Sequence, residues 1–318
     1  MWIWEKWKRC HGNPLRPGGP SSPWEALAEA LTLDQDESIE SAASKLLALR
    51  QELAEFDPIK VIAGCATLAA LADNHTRIFR IDSLIHLAAL HCAGSKVPTR
   101  KDYARWFNAY LPESHITRFE DPPEDFAIGN VCTQVGNRLV FNGEWSGPDQ
   151  ILQDLLDALE SGPASLDGIR ASACAMLSLS DCIARRYGYS CDTAGSIDLV
   201  EVQIPPSDTE LWQLSLLSVF DESALALAGI ASADMEPFTL NLEELRAEAR
   251  RAKIKQVRSR PILRVGDMRL LIFPTSLPMA IVWFVLKQIE SARLLPLRLA
   301  STIHRARHGT PSQARREE

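Results

Sequence analysis

The chain has 318 residues, 46% of them hydrophobic and 24% charged, enough to bury one large core or two smaller ones. Its formal net charge of −7 argues against a general nucleic-acid coat protein and leaves room for a local basic face. Seven cysteines, odd in number and without a Cys-x-x-Cys pair, exclude a zinc knuckle and a thioredoxin-like motif; they read as small buried thiols of a reducing, cytoplasmic compartment.

The first nine residues carry Trp2, Trp4 and Trp7 and no apolar run of the signal-peptide kind. A Pro/Gly-rich stretch from Gly12 to Pro20 follows and reads as irregular. Ser22-Pro23-Trp24-Glu25 is a helix start, with Ser at the N-cap, Pro at N1 and Glu at N3. Ile39, Ala42, Ala43, Leu46, Leu47, Leu49 and Leu53 form an apolar stripe at helical spacing between Ser38 and Phe56. Apolar-rich helices continue over 58–73 and 81–93. Thr99-Arg-Lys-Asp102 opens another that carries Tyr103, Trp106, Phe107 and Tyr110.

The pattern then shifts. Glu120-Asp-Pro-Pro-Glu-Asp125 reads as a solvated acidic loop, its prolines ill-placed for a Ca²⁺ turn. Val131–Val135, Gly136-Asn137 and Arg138–Phe141 predict a β-hairpin with a type II′ turn. Helices are expected over Pro148–Ser161 and Leu166–Tyr187, and an alternating strand over Asp198–Ile204. Ser207-Asp-Thr-Glu210 predicts a helix from Leu211 to Val219, Asp221 or Glu222 opens a short one to Ile230, and Asn241-Leu-Glu-Glu244 caps the next. A second hairpin follows, Ile262–Val265, Gly266-Asp267 and Arg269–Phe273. Leu270–Leu286 lacks charge for 17 residues, but it is short for a membrane span and holds Pro274 and Pro278. A strand followed by a buried helix from about Leu277 to Leu295 is the better reading, so membrane attachment is not expected.

These patterns predict an α+β fold, predominantly α-helical with small β-hairpins. They divide the chain into an irregular segment 1–22, a helical bundle 23–112, a mixed region 113–303 and a disordered basic tail 304–318. An apolar helix running into an abrupt basic tail also fits the front part of a larger protein.

Charge is split along the chain. Residues 1–245 hold 18 Lys/Arg against 36 Asp/Glu, and residues 246–318 hold 16 against 5. The sharpest cationic stretch runs from Arg246 to Arg260 and includes Arg250, Arg251, Lys253, Lys255, Arg258 and Arg260. On a helix, Arg251, Lys255 and Arg258 fall along one side and Arg250 and Lys253 along the next, a stripe suited to an anionic partner. No aromatic residue interrupts it, so stacking on single-strand bases is not supported. The competing reading is a cationic helix held against the protein's own acidic body.

Asp198 and Glu201-Val-Gln203 sit where a small-sheet nuclease would hold a divalent metal, but the usual lysine and a second carboxylate are missing. His86 and His91 are five residues apart, unlike the i, i+4 pair of a zinc site. Gly-x-Gly-x-x-Gly, Walker A and Gly-x-Ser-x-Gly motifs are absent, so no cofactor is expected. The expected role is therefore a non-enzymatic helical interaction or scaffold module, with a protein as the partner and nucleic acid through residues 246–260 as the other option. The alternative is a metal-dependent nuclease-like enzyme using Asp198 and Glu201.

Overall fold

A computed structural model describes residues 39–71, 78–111, 132–141, 148–191, 197–199, 215–250 and 259–292. The expected helix start at Ser22, the acidic loop 120–125 and the basic tail lie outside the described residues. The fold is α+β and mainly helical, as the sequence predicts.

Four helices open the described chain: α1 (Ile39–Leu53), α2 (Pro58–Ala70), α3 (Ile78–His91) and α4 (Arg100–Arg105). The starts of α2 and α4 are locally encoded. Asp57 accepts from the Lys60 amide at 3.1 Å with Pro58 at the first position of α2. Thr99 and Asp102 form a reciprocal capping box at α4.

The helix begun at Thr99 does not continue in α form to Tyr110. At Trp106 it widens into a π-helical turn, Trp106–Tyr110. The turn is held from both sides. The Trp106 indole and the Arg105 guanidinium donate to Glu52 at 3.1 Å, and the Tyr110 hydroxyl donates to the same carboxylate. Buried Arg80 donates to the Phe107 and Leu111 carbonyls at 2.7 and 2.5 Å, satisfying groups that a helix end leaves orphaned. Sequence spacing finds the aromatic positions but not the wider turn, because these tertiary partners select it.

Burial pushes the Glu52 carboxyl up, but hydrogen bonds from Tyr110, Trp106 and Arg105 outweigh it and hold the group below its ordinary range. Asp102 behaves alike: burial raises it, and bonds from Thr99 and Arg105 bring it lower. A depressed folded pKa gives stability that is present above the unfolded value and lost as pH falls through the folded one. The thermal midpoint is therefore expected to drop on acidification below about pH 4.5. Glu52→Gln should flatten that drop, and a profile identical to wild type would remove Glu52 from the account.

The first hairpin forms as predicted, β1 (Cys132–Val135) paired with β2 (Arg138–Phe141), with Gly136 at φ +61°. Helices α5 (Pro148–Glu160) and α6 (Asp167–Arg186) follow, then a two-stranded ribbon of β3 (Tyr189–Cys191) and β4 (Ile197–Leu199). The expected strand Asp198–Ile204 is thus described only at its start, and its partner β3 was not predicted. The Cys191 thiol donates to Gln134 at 3.0 Å, tying this ribbon to the first hairpin.

The region expected as a helix up to Val219 ends differently. Ser215–Ser218 is a 3₁₀ turn, and Val219–Phe220 is a strand, β5. Pairing of these two residues with Leu270 and Arg269 overrides the helical pattern. After β5 come α7 (Glu222–Leu227), α8 (Ser232–Met235), β6 (Thr239–Asn241), α9 (Leu242–Arg250), β7 (Ile262–Val265), β8 (Met268–Leu271) and α10 (Leu277–Ala292). The second hairpin is the predicted one, moved so that Met268 joins the strand and Ile272 and Phe273 leave it; Gly266 takes φ +59° at its turn. Strand order is β5-β8-β7-β6, and β6 runs parallel to β7, so β6–α9–β7 is a parallel crossover unit.

This sheet has a core on each face. The Leu263–Leu270 pair joins Leu240, Leu245, Ile272 and Phe273 in packing on α1–α4. The neighbouring Ile262–Leu271 pair joins Phe220 in packing on α5, α6, α10 and the first hairpin. Burial on both faces explains why Ile262 and Leu263 on β7, and Leu270 and Leu271 on β8, are apolar at adjacent positions. Within the described residues no helix is long and apolar enough to cross a membrane.

Candidate functional site: the cationic stretch after the crossover helix

Helix α9 leads into the cationic stretch, and its placement is fixed from both ends. Asn241 accepts from the Glu244 amide at 2.9 Å, and Glu244 accepts from the Asn241 amide at 2.8 Å, closing the predicted capping box. Leu245 and Ala249 turn into the core. Arg246 reaches across to α3, donating to the Ala89 carbonyl at 2.9 Å, and pairs with Glu243 at 2.5 Å. A cation on a helix C-terminal carbonyl is favourably placed against the helix dipole.

Of the six residues singled out for anion binding, the structure describes two. Arg250 is exposed at the end of α9. Arg260 is folded back onto α9, pairing with Glu244 at 3.0 Å and with Glu248. Burial lowers the Arg260 pKa and these two carboxylates more than restore it, while Glu244 is held low by the Asn241 amide and by Arg260. Arg251, Lys253, Lys255 and Arg258 lie outside the described residues.

Arg260 begins a charge arrangement that the sequence reading did not anticipate. Arg264 on β7 pairs with Glu236. Arg269 on β8 pairs with Glu222 at 2.9 Å and Glu236 at 3.3 Å, and Ser232 donates to Glu222 at 2.6 Å. Glu244 also feels Arg264. Acidic and basic side chains thus alternate in two groups, one of Glu222, Arg269, Glu236 and Arg264 and one of Glu244, Arg260 and Glu248, with the charge of Arg264 felt at Glu244 between them. The Arg269 side chain is 8% exposed, while its partners Glu222 and Glu236 are 64% and 47% exposed, so a buried cation is neutralised by carboxylates that keep contact with solvent. The acids come from α7, the turn after α8 and α9, up to 47 residues from the arginines they meet. Only Glu244 and Glu248, one helical turn apart on α9, gave a sequence signal of it.

The alternative site is not assembled in what is described. Asp198 lies opposite Ser190 on the two-stranded ribbon, not on the four-stranded mixed sheet. Glu201 lies outside the described residues. Among the described residues no three His, Cys, Asp or Glu side chains gather as a metal site. The His86 ring sits 2.6 Å from the Asp82 carbonyl and stacks on Phe273. Burial, helped by Arg50, brings His91 down to about 4, so it is neutral at pH 7. None of the six described cysteines is in a disulfide, and burial pushes the Cys92 thiol up to about 12, far from a reactive thiolate.

No curated protein and no solved structure matches the chain. The family model described as "Anti-phage protein Upx-like" matches residues 32–306, a span that takes in the crossover unit and both sheet faces, and the chain therefore belongs to the Upx-like anti-phage family.

Proposed function

We propose that the chain acts in defence against phage, in the cytoplasm, as a non-enzymatic interaction module. Its working surface is the cationic stretch that follows α9, and its partner is an anionic surface of another protein. The family match over residues 32–306 is the observation that carries the defence role. The charge split supports the partner's sign, since residues 246–318 hold 16 Lys/Arg against 5 Asp/Glu. Exposed Arg250 at the mouth of the stretch supports the surface.

The test is plaque formation on cells that express the chain, beside cells expressing the combined variant Arg250→Gln, Arg251→Gln, Lys253→Gln and Lys255→Gln. Wild type should lower plaque numbers and the variant should restore them. Removing four cations should also weaken binding of the purified protein to a polyanion by about tenfold or more at low salt. A variant that folds, protects and binds like wild type would rule out this surface.

A further inference from the structure

The cationic stretch carries its own counter-charge. Arg260, one of the six cations read from the sequence as anion-binding, presents one nitrogen to Glu244 at 3.0 Å and the other to Glu248. Those carboxylates stand at i and i+4 on α9, so a single guanidinium spans one helical turn of acid. The neighbouring Arg246 is likewise held by Glu243 and by the end of α3.

We infer that the contact of Arg260 with Glu244 and Glu248 is an autoinhibitory latch, which withholds Arg260 from an acidic protein partner whose carboxylates are spaced one helical turn apart. The latch rests on the reading of this stretch as the interaction surface. Two observations support it. The Arg260 side chain is 26% exposed and that of Glu244 45%, so a partner can reach the contact from solvent. Ion pairs at the exposure of Arg260 and Glu244 exchange at small net cost, and the buried Glu248 carboxylate, its side chain 11% exposed, is the part of the latch that resists opening. Glu248 is used only by half: its Oε2 is buried and makes no hydrogen bond, which is not how a contact built only for stability is finished.

The chemistry of the latch also points to the chemistry of the partner. A fork already set to two carboxylates on a helix accepts another acidic helix without rearranging its donors. The absence of aromatic residues between 246 and 260 speaks against a single-stranded nucleic acid.

The experiment uses the full chain and labelled poly-L-glutamate, with a single-stranded DNA oligonucleotide as a second arm, each at low and moderate salt. The variant is Glu244→Gln with Glu248→Gln, because glutamine keeps the capping bond to Asn241 and the side-chain shape. Its thermal midpoint is measured alongside. Opening the latch should tighten polyglutamate binding by about threefold or more, the worth of one exposed ion pair. In an Arg260→Gln background the same two changes should give no gain. Wild-type binding that the double variant leaves unchanged overturns the latch and leaves the surface standing. A gain that persists without Arg260 overturns it too, as a bulk-charge effect. A gain for DNA but not for polyglutamate overturns the acidic partner. If neither wild type nor the double variant binds polyglutamate at low salt, the latch and the underlying surface fall together.

Discussion

Trp106→Ala is expected to cost about 3–5 kcal/mol of folding stability, the range for deleting a buried aromatic. The side chain is fully buried where α1, the α1–α2 connection and the π-helical turn meet. Its ring stands edge-on to Phe56 at 4.9 Å and to Tyr103 at 5.3 Å, arrangements that add to simple area burial. Its indole N–H donates to Glu52 at 3.1 Å. Truncation therefore opens a cavity, strips two aromatic contacts and removes one donor from the carboxylate that pins the turn. Trp106→Phe separates these effects, since it keeps an aromatic ring and loses the donor; a cost of about 1–2 kcal/mol is expected. Denaturant midpoints at fixed slope read both numbers. A loss under 1 kcal/mol for the alanine variant would show that the turn repacks and is not held as described.

Local patterns predicted the elements that local chemistry decides. The capping boxes at Thr99 and Asn241 and the Gly-led turns of both hairpins involve residues within three or four positions of one another. What escaped was set by distant partners. Val219 and Phe220 are a strand only because β8 lies beside them, and Thr239–Asn241 only because β7 does. Strands of two or three residues are too short to show an alternation. The same limit hides the alternating charges. Arg269 and Glu222 are ordinary residues in sequence, and only folding brings them within 2.9 Å. The cationic stretch was visible as composition, yet composition cannot show that Arg260 turns back onto the carboxylates of the preceding helix α9. A stripe that looked uniform is therefore unequal: Arg250 faces solvent, and Arg260 is matched.

Gly94→Ala should cost about 3 kcal/mol, although the residue lies at the surface. A Cβ at this position would stand 2.0 Å from the Glu55 carbonyl oxygen and 2.3 Å from its carbon. Those are backbone atoms at the end of α1, so no side chain can swing aside. The two strands of chain are stitched together at this crossing. Gly94 donates to Phe56 at 3.1 Å, Lys96 donates to Glu55 at 3.1 Å, and Asp57 donates to Lys96 at 2.9 Å. The Lys96 ammonium also lies 4.6 Å over the Phe56 ring. Pushing the backbones apart stretches those bonds and tilts α1 against α3, with Phe56 and Leu53 beneath them in the core. Gly168→Ala is the contrasting case. It sits in the first turn of α6 with nothing within 4 Å of a new Cβ, so alanine should be neutral or stabilise by up to about 1 kcal/mol through helix propensity. Thermal and denaturant unfolding of the two variants side by side makes the comparison. If Gly94→Ala unfolds with the wild-type midpoint, the close crossing of the α1 end and the α3 end is not a feature of the folded protein.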